Sequence, residues 1–445
     1  MSRLPPGPRL PRIFQIYRWL RDPVPFLEGY ARAYGEAFTL RFPATPPIVI
    51  FTNPDAVKEI FTGDPDVLHA GAANVVLEPL MGQNSVLLID GARHRRERRR
   101  MTPPFRGDRM KAYGDVMREV TNRSIDAWPE GEAFPIHRQT QGITLDIILR
   151  TVFGLEEGEL FKELRESLIE GITLGSNPIY LLPIFHVNLG PLTAWRKISR
   201  MMQRSDELLY AEFARRRAEG KTGRSDVLSM LLEARGEDGA PMTDEELRDQ
   251  MVTLLVAGHE TTATALAWVV HRMLANPDVY AKLRRELRDV GGNGPVAVDQ
   301  MDRLEYLDAV IKETMRLNPI IPFVVRLARK PVRIGGWDIP EGVVVGPCIY
   351  LTHRRADVWP DPLAFRPERF LGLRPSPYTF FPFGGGTRLC LGASFATYEM
   401  KIVLAELLRR TQLRAAPGHT VRVVRRSITL APSGGVPVIL EGRTG

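Results

Sequence analysis

A cysteine that follows three consecutive glycines is the residue of this chain best suited to metal chemistry. Gly384–Gly386 precede Cys390, and an apolar periodicity typical of a helix begins directly after it. Glycines let a backbone turn tightly and approach a flat ligand closely. A cysteine at a helix N-terminus lies at the positive end of the helix dipole, which favours the thiolate that a soft metal needs. The alternative is a buried structural cysteine, the commoner role of an isolated one.

A polar segment interrupts the most apolar stretch of the chain. His259, Glu260 and Thr261 lie in the middle of Met251–Val270. That stretch is about long enough to span a bilayer, but a charge at its centre is costly in lipid, which favours a buried helix of a soluble protein. Buried polar groups need partners. Either the Thr261 hydroxyl bonds back to the preceding turn in a kink, or the segment belongs to a functional site.

Two further patterns carry charge. Glu313 and Arg316 are three residues apart, so they share one helix face and can pair. The run Arg93–Arg100 contains six arginines in eight residues. Such a run is typical of a nucleic-acid-binding patch or of a solvated basic face.

The elements that must position these residues are mostly helices. Thr243 and Glu246 form a capping-box pattern before a helix that runs to Leu274 and stops at Asn276–Pro277. We therefore expect a mainly α fold with small β-sheets, in a single domain of residues 1–445. The other expected elements are a strand pair in Ala37–Phe51, short strands in Val332–Tyr350, and helices from Leu304 to Leu317 and from about Leu391 to Arg410. The strands are therefore expected near 37–52 and 332–350. Most of the helices are expected in 93–320 and 391–410.

Composition excludes several classes of protein. Hydrophobic residues make up 44% and charged residues 25% of the 445 residues, which excludes a disordered, collagen-like or coiled-coil chain. The net charge of +8 favours anionic partners. Two cysteines, Cys348 and Cys390, are no disulfide framework, and the first thirty residues hold no secretory signal. We expect a cytoplasmic protein without a transmembrane anchor, in which Cys348 packs in the core.

The cysteine segment resembles the haem-binding loop of the cytochrome P450 family. The resemblance rests on the pattern Phe383-x-x-Gly386-x-x-x-Cys390-x-Gly392, supported by further motifs between residues 94 and 392. It implies the family's prism-shaped fold, with a long central helix over haem b. Cys390 is then the axial iron ligand, whose thiolate favours O–O cleavage. Phe383, Gly384 and Gly392 are implied to contact the haem.

Two more motifs match the family. Glu313 and Arg316, completed by Arg369 in Pro367–Phe370, resemble its buried Glu–Arg–Arg cluster, which supports the haem loop. Ala257–Thr262 resembles its oxygen-activation segment. There Ala257 and Gly258 are implied to leave room for dioxygen, Thr261 to hydrogen-bond it, and Glu260 to relay protons through water. His259 is expected on the helix surface or facing a loop.

The resemblance also implies how the haem and an electron donor are held. His94 and Arg98, with Arg326 and Arg388, match positions that bind the haem propionates, although many members have tryptophan where His94 stands. The outward arginines of the basic run would dock an acidic ferredoxin or flavodoxin, itself served by a reductase, because the chain ends about fifty residues after Gly392. A monomer is expected.

The pocket positions of the family fall overwhelmingly on apolar residues here, so we expect a lipophilic substrate such as a fatty acid, terpenoid, steroid or polyketide, hydroxylated or epoxidised. Plain core packing is the alternative for each residue. Three other functions stay open: a haem-thiolate peroxygenase or isomerase, against which the acid–alcohol pair argues, a haem sensor or carrier, and a nucleic-acid-binding protein. The pocket candidates are Val75, Leu77, Leu80, Thr253, Val256, Ala257, Ile321, Phe323, Val324 and Pro432.

Overall fold

A computed structural model describes residues 4–107, 109–156, 158–175, 194–220, 223–237, 239–292 and 294–444. Helices dominate it, as predicted. The α-helices in this part of the chain are α1 (Arg12–Arg21), α2 (Pro23–Tyr34), α3 (Pro54–Thr62), α4 (Ala70–Ala73), α5 (Glu78–Met81), α6 (Gly91–Met101), α7 (Arg109–Asp126), α8 (Ile136–Thr151), α9 (Glu159–Gly175), α10 (Ala194–Glu219), α11 (Val227–Glu233), α12 (Asp244–Leu274), α13 (Pro277–Gly291), α14 (Glu305–Leu317), α15 (Ile349–Thr352) and α16 (Ala393–Arg410).

The strands are short and form small sheets. A five-stranded sheet has the order β1-β2-β8-β5-β3, in which β2 and β8 are parallel and the other pairs antiparallel. A three-stranded sheet has the order β4-β12-β9, and two hairpins pair β6 with β7 and β10 with β11. The strands are β1 (Ala37–Leu40), β2 (Ile48–Phe51), β3 (Leu68–His69), β4 (Ala133–Pro135), β5 (Arg326–Ala328), β6 (Val332–Ile334), β7 (Trp337–Ile339), β8 (Val344–Pro347), β9 (Thr411–Ala415), β10 (Val423–Arg426), β11 (Thr429–Pro432) and β12 (Pro437–Arg443).

Helix α12 is the central element of the core. The Thr243 hydroxyl accepts a hydrogen bond from Glu246 N and the Glu246 carboxylate accepts one from Thr243 N, each at 3.1 Å, so the predicted capping box is confirmed. The helix has 31 residues, which corresponds to about 46 Å. It packs against α8, α14 and α16. Residues 263–270, in its second half, are all buried, which explains why this part of the sequence is apolar.

The structure departs from the predicted elements at several places. Ile349–Thr352, at the end of a segment predicted as strand, is a helical turn, and β3, β4, β5 and β9–β12 lie outside the two regions where strands were expected. Strands β3 and β4 have only two or three residues, too few to show an alternating pattern, and both form by pairing with strands distant in sequence. Within the described residues, none of the helices is long and apolar enough to cross a membrane.

Candidate active site

The Cys390 loop, residues 380–392, contains a short 3-10 turn, Gly386–Arg388, and ends at the start of α16. Cys390 N donates a hydrogen bond to Phe383 O at 2.9 Å, which closes the loop. Cys390 is an exposed residue. Desolvation by the surrounding protein nevertheless raises the pKa of its thiol, while the Gly392 N–H and the Arg98 guanidinium oppose that rise. An exposed residue with so much protein around it lies in a recess of the molecule.

Two positions of this loop require glycine, because they lie in close contact with α3. A Cβ on Gly386, whose φ is +65°, would lie 2.1 Å from Phe61 O, and one on Gly385 would lie 2.4 Å from the Phe61 ring. No side chain fits at either distance. The glycines predicted to allow approach to a flat ligand therefore also allow the loop to pack on Phe61.

A strip of accessible residues interrupts the burial of α12. Ala257 is exposed and Thr261 is half-buried, one turn apart, whereas the turns that follow are buried. The Thr261 hydroxyl donates to Ala257 O at 2.6 Å, the back-bonded arrangement considered from the sequence. Gly258 faces the other way, because a Cβ there would lie 3.2 Å from Ile148 Cδ1 on α8. The absence of a side chain at Gly258 thus also allows α8 to pack closely on α12.

The segment Asn84–Asp90 joins α12 to the Cys390 loop. Val86 N donates to Gln250 Oε1 at 3.0 Å, and the Thr253 hydroxyl donates to Ser85 Oγ at 2.7 Å. On its other side the same segment binds Arg388, whose Nη1 donates to Val86 O at 3.0 Å. The position of the loop relative to the central helix is therefore fixed by hydrogen bonds.

Four residues predicted to bind propionates lie together with Asp90, and we call these five residues the basic cluster. Arg388 pairs with the Asp90 carboxylate, and Arg98 Nη2 donates to Leu389 O at 2.6 Å. Burial, together with the charge of Arg388, lowers the pKa of Arg326 to about 10. Burial and the neighbouring Arg388 and Arg98 lower the pKa of His94 to about 4.

The charge of the basic cluster fits the cofactor implied by the sequence. With His94 neutral, three guanidinium groups face the one carboxylate of Asp90, so the cluster carries an excess of two positive charges. Haem b has two carboxylates, and arginine is well suited to bind them. The thiol of Cys390 is close enough to Arg98 for their charges to interact, so the predicted iron ligand and the predicted propionate-binding groups occupy one region.

The predicted Glu–Arg–Arg cluster forms as a buried network. Glu313 and Arg316 are inaccessible to solvent, and two hydrogen bonds of 2.7 and 2.8 Å join them. Arg369 Nε donates to Glu313 Oε1 at 3.0 Å. Arg316 Nη1 also donates to His353 O at 2.8 Å, and His353 Nε2 accepts from Phe381 N at 2.9 Å. The network therefore reaches the Cys390 loop through His353.

His259 is buried, so its expected place on the helix surface or facing a loop is wrong. Only 3% of the residue is exposed, and Nε2 lies 2.9 Å from Gln141 O on α8. Burial lowers the pKa of His259 to about 4. Because α8 packs against this side of α12, the His259 side chain, to which the sequence assigned no partner, contacts the backbone of α8.

The pocket candidates have different surroundings. Val75 and Ala257 are exposed, whereas Thr253 and Pro432 are buried. Phe323 packs with its ring centroid 5.4 Å from that of Trp19, so it also supports the N-terminal helices. The remaining candidates, Leu77, Leu80, Val256, Ile321 and Val324, are half-buried.

The basic run on α6 is largely engaged with the rest of the protein. Arg99 pairs with Glu237, and Arg95 lies 3.7 Å from Asp66. Arg100 is buried and pairs with Glu97 at 3.2 Å. These arginines therefore have carboxylate partners within the protein, and the run carries less unpaired positive charge than its sequence suggests.

Comparison with known proteins agrees with this geometry. The cytochrome P450 family model matches residues 4–436. The protein named cytochrome P450 135B1 of Mycobacterium tuberculosis is 40% identical over 436 residues, which are 98% of this chain and 91% of the relative. The one named cytochrome P450 135A1 is 38% identical, over 97% of this chain and 94% of the relative. The chain belongs to the cytochrome P450 family.

Solved structures show the same fold. The retinoic-acid-bound cyanobacterial CYP120A1 has a TM-score of 0.86 at 25% identity and covers 99% of this chain and 100% of its own. The haem domain of cytochrome P450DA has a TM-score of 0.87 at 24% identity, with coverage of 100% and 99%. The predicted mainly α P450 fold is confirmed. As a member of this family, the protein is a haem-binding oxidoreductase of the monooxygenase class.

Several residues of the site carry no signal in the sequence. Asp90 and His353 have no local pattern, and their partners lie hundreds of positions away or on unrelated elements. Gln141, His137 and Arg426 surround Glu260. Only the fold brings these residues to the motif residues, so single-sequence reasoning missed them.

Proposed function

We propose that the chain binds haem b through the Cys390 thiolate and inserts one oxygen atom of dioxygen into a lipophilic small molecule. The observation that carries the proposal is the exposed residue Cys390 beside the positively charged basic cluster. When bound, the haem supplies the iron at which dioxygen is reduced and cleaved. Arg98, Arg326 and Arg388 bind its carboxylates, with His94 as a neutral hydrogen-bonding neighbour.

On α12, the chain provides the groups that handle protons. The Thr261 hydroxyl, which is half-buried in the accessible strip, is proposed to hydrogen-bond the dioxygen substrate. Burial raises the pKa of Glu260, so this carboxyl holds a proton at higher pH than usual and is suited to act as the acid. The peroxide-using alternative does not need an acid and an alcohol at adjacent positions.

The substrate and the electron donor follow from the character of the surfaces. The accessible pocket candidates, such as Val75, Leu77 and Ile321, are apolar, which supports a fatty acid, terpenoid, steroid or polyketide. A structural neighbour binds retinoic acid, itself largely apolar. The exposed Arg95 and Arg99 on α6 support docking of an acidic ferredoxin or flavodoxin.

The proposal is tested by the reduced carbon-monoxide difference spectrum of the purified protein. A thiolate-type Soret band is expected in the parent and in Cys348→Ser, because Cys348 is fully buried and remote from the loop in sequence. The band should be lost in Cys390→Ser. No such band in the parent protein, or its survival in Cys390→Ser, contradicts the proposal. Product formation with an added ferredoxin system and no peroxide then separates a monooxygenase from a peroxygenase or a haem carrier.

A further inference from the structure

The carboxyl of Glu260 is enclosed by groups from two other elements. Gln141 Nε2, on α8, donates a hydrogen bond to Glu260 Oε2 at 2.7 Å. Arg426 Nε, at the end of β10, lies 3.0 Å from Glu260 Oε1. His137 Nε2, also on α8, lies 3.7 Å from the same oxygen. Glu260 is therefore held on the α8 side of α12.

The contact between Glu260 and Arg426 is an ion pair without a directional hydrogen bond. Glu260 Oε1 and Arg426 Nε are both fully buried, and in the described part of the chain neither makes an aligned hydrogen bond. Buried polar atoms are rarely left in this state. The attraction between the two charges therefore acts together with the Gln141 hydrogen bond to the other oxygen to hold the carboxyl in place.

The pKa of Glu260 depends on its burial and on the charges and hydrogen bonds around it. Burial raises the pKa of Glu260, and the positive charge of Arg426 and the hydrogen bonds from Gln141 and Thr264 lower it again. The two nearby histidines, His137 on α8 and His259 on α12, have their pKa values lowered by burial to about 3 and about 4. They are neutral near pH 7, so Arg426 is the cation of this group.

Arg426 belongs to a hairpin that is anchored next to the predicted substrate pocket. It pairs in register with Thr429 of β11. The next residue, Leu430, donates from its N–H to Ile320 O at 2.8 Å, and its carbonyl accepts from Trp268 Nε1 at 3.0 Å. The β10–β11 hairpin thus joins α12 to the segment that leads into Ile321. A displacement of this hairpin moves Arg426 relative to Glu260.

We propose that Arg426 is the positioning residue for the Glu260 carboxyl and sets the pH at which it donates its proton. This inference rests on the proposed function. In each proton transfer, Glu260 gives its proton to a water molecule on the Thr261 side of α12 and takes one proton back from solvent, so the residue is unchanged after turnover. Arg426 touches neither substrate nor haem in this scheme and acts through Glu260.

The test measures the titration of Glu260 in the haem-loaded enzyme by infrared difference spectroscopy, with Glu260→Gln assigning the carboxyl band. In Arg426→Gln the midpoint should rise by about one pH unit, because a stabilising cation is lost. In Arg426→Lys it should return toward the parent value. The matched control is Arg422→Gln, which removes the same charge from an exposed side chain beside the hairpin strand.

Turnover provides the second readout. Product formed per electron pair should fall about three- to tenfold in Arg426→Gln and recover in Arg426→Lys, a loss smaller than that of removing an acid itself. The proposal is overturned if the titration midpoint of Glu260 is the same in Arg426→Gln as in Arg422→Gln. It is also overturned if Arg426→Lys loses as much product per electron pair as Arg426→Gln. If the parent lacked the Cys390-dependent spectrum, the proposed function would fail, but the infrared midpoint would still report on the Arg426–Glu260 pair.

Discussion

Arg98 donates a hydrogen bond to the carbonyl oxygen of Leu389, 2.6 Å away and one residue before Cys390. One side chain of α6 therefore holds the backbone of the cysteine loop and also belongs to the basic cluster. This double contact makes Arg98 a sensitive position for retention of the cofactor.

Arg98→Ala should release haem faster than the parent protein. Losing a charge-assisted hydrogen bond costs about 1.5–3 kcal/mol, which corresponds to roughly a ten- to hundredfold faster dissociation. Transfer of haem to an excess of a scavenger globin measures the rate. Arg99→Ala is the control, because that side chain is 69% exposed and pairs with Glu237. Equal rates in the two variants would contradict a role for Arg98 in holding the haem.

Glu313→Gln should destabilise the fold by about 3–5 kcal/mol, because it leaves the buried Arg316 guanidinium without its counter-charge. Denaturant unfolding of the haem-loaded proteins measures the loss. Glu368→Gln is the comparison, since Glu368 is 46% exposed and its partner Lys282 is 51% exposed. Pairs of that kind contribute about 0–1 kcal/mol. A similar loss in both variants would show that burial of Glu313 does not decide its effect.

Gly386→Ala should be far more damaging than Gly372→Ala. Both glycines have positive φ, +65° and +71°, so alanine is strained at either position. Only at Gly386 would the added Cβ also meet the backbone of Phe61, at 2.1 Å. The yield of folded, haem-containing protein and its melting temperature measure the difference. If the two variants behave alike, the close packing of the loop on α3 is not needed.

The buried histidines should make the protein less stable in acid. Burial lowers the folded-state pKa of His94 and His259 to about 4, below an unfolded value of about 6.5. The unfolded chain therefore binds more protons, and stability falls as the pH drops from about 6.5 to about 4. Urea midpoints measured across this range should fall less steeply in His259→Gln. The exposed His419→Gln is the control, and a slope unchanged in His259→Gln would refute the assignment.

Charge reversal on α6 should slow electron transfer from an acidic donor. Arg99→Glu is expected to lower the rate of reduction about tenfold at low ionic strength, and the difference should vanish in high salt because exposed charges are screened. Stopped-flow reduction by a ferredoxin at several salt concentrations measures this. Arg204→Glu, on α10, is the control, since its side chain is similarly exposed and also pairs with a glutamate. Identical salt dependence in both variants would place the docking surface elsewhere.

Sequence alone predicted the features that are encoded locally. The capping box of Thr243 and Glu246 and the pairing of Glu313 with Arg316 each depend on residues three positions apart, so helix geometry brings them together. In both cases, the physical cause of the contact lies within one turn of helix. The P450 fold was predicted in another way, from the resemblance of the Cys390 segment to the family's haem-binding loop.

What sequence missed depends on tertiary contacts. Arg388 and Asp90 are 298 positions apart, and the sequence around either residue gives no indication that the other is its partner. The prediction for His259 was wrong because α8 covers the side of α12 on which His259 lies, a contact that only the fold reveals. The roles of the propionate and pocket residues stay predictions, because they concern molecules that contact the chain rather than contacts within it.

The loop that carries Cys390 is shaped by contacts within the polypeptide. Phe61 dictates the path of two of its glycines, His353 binds Phe381 N, and Arg98 holds Leu389 O. A binding site that is already ordered loses little conformational entropy when its ligand binds. Affinity for the cofactor then depends on the bonds it forms rather than on ordering the loop, and a variant that loosens these contacts should weaken binding through entropy even with every ligating group intact.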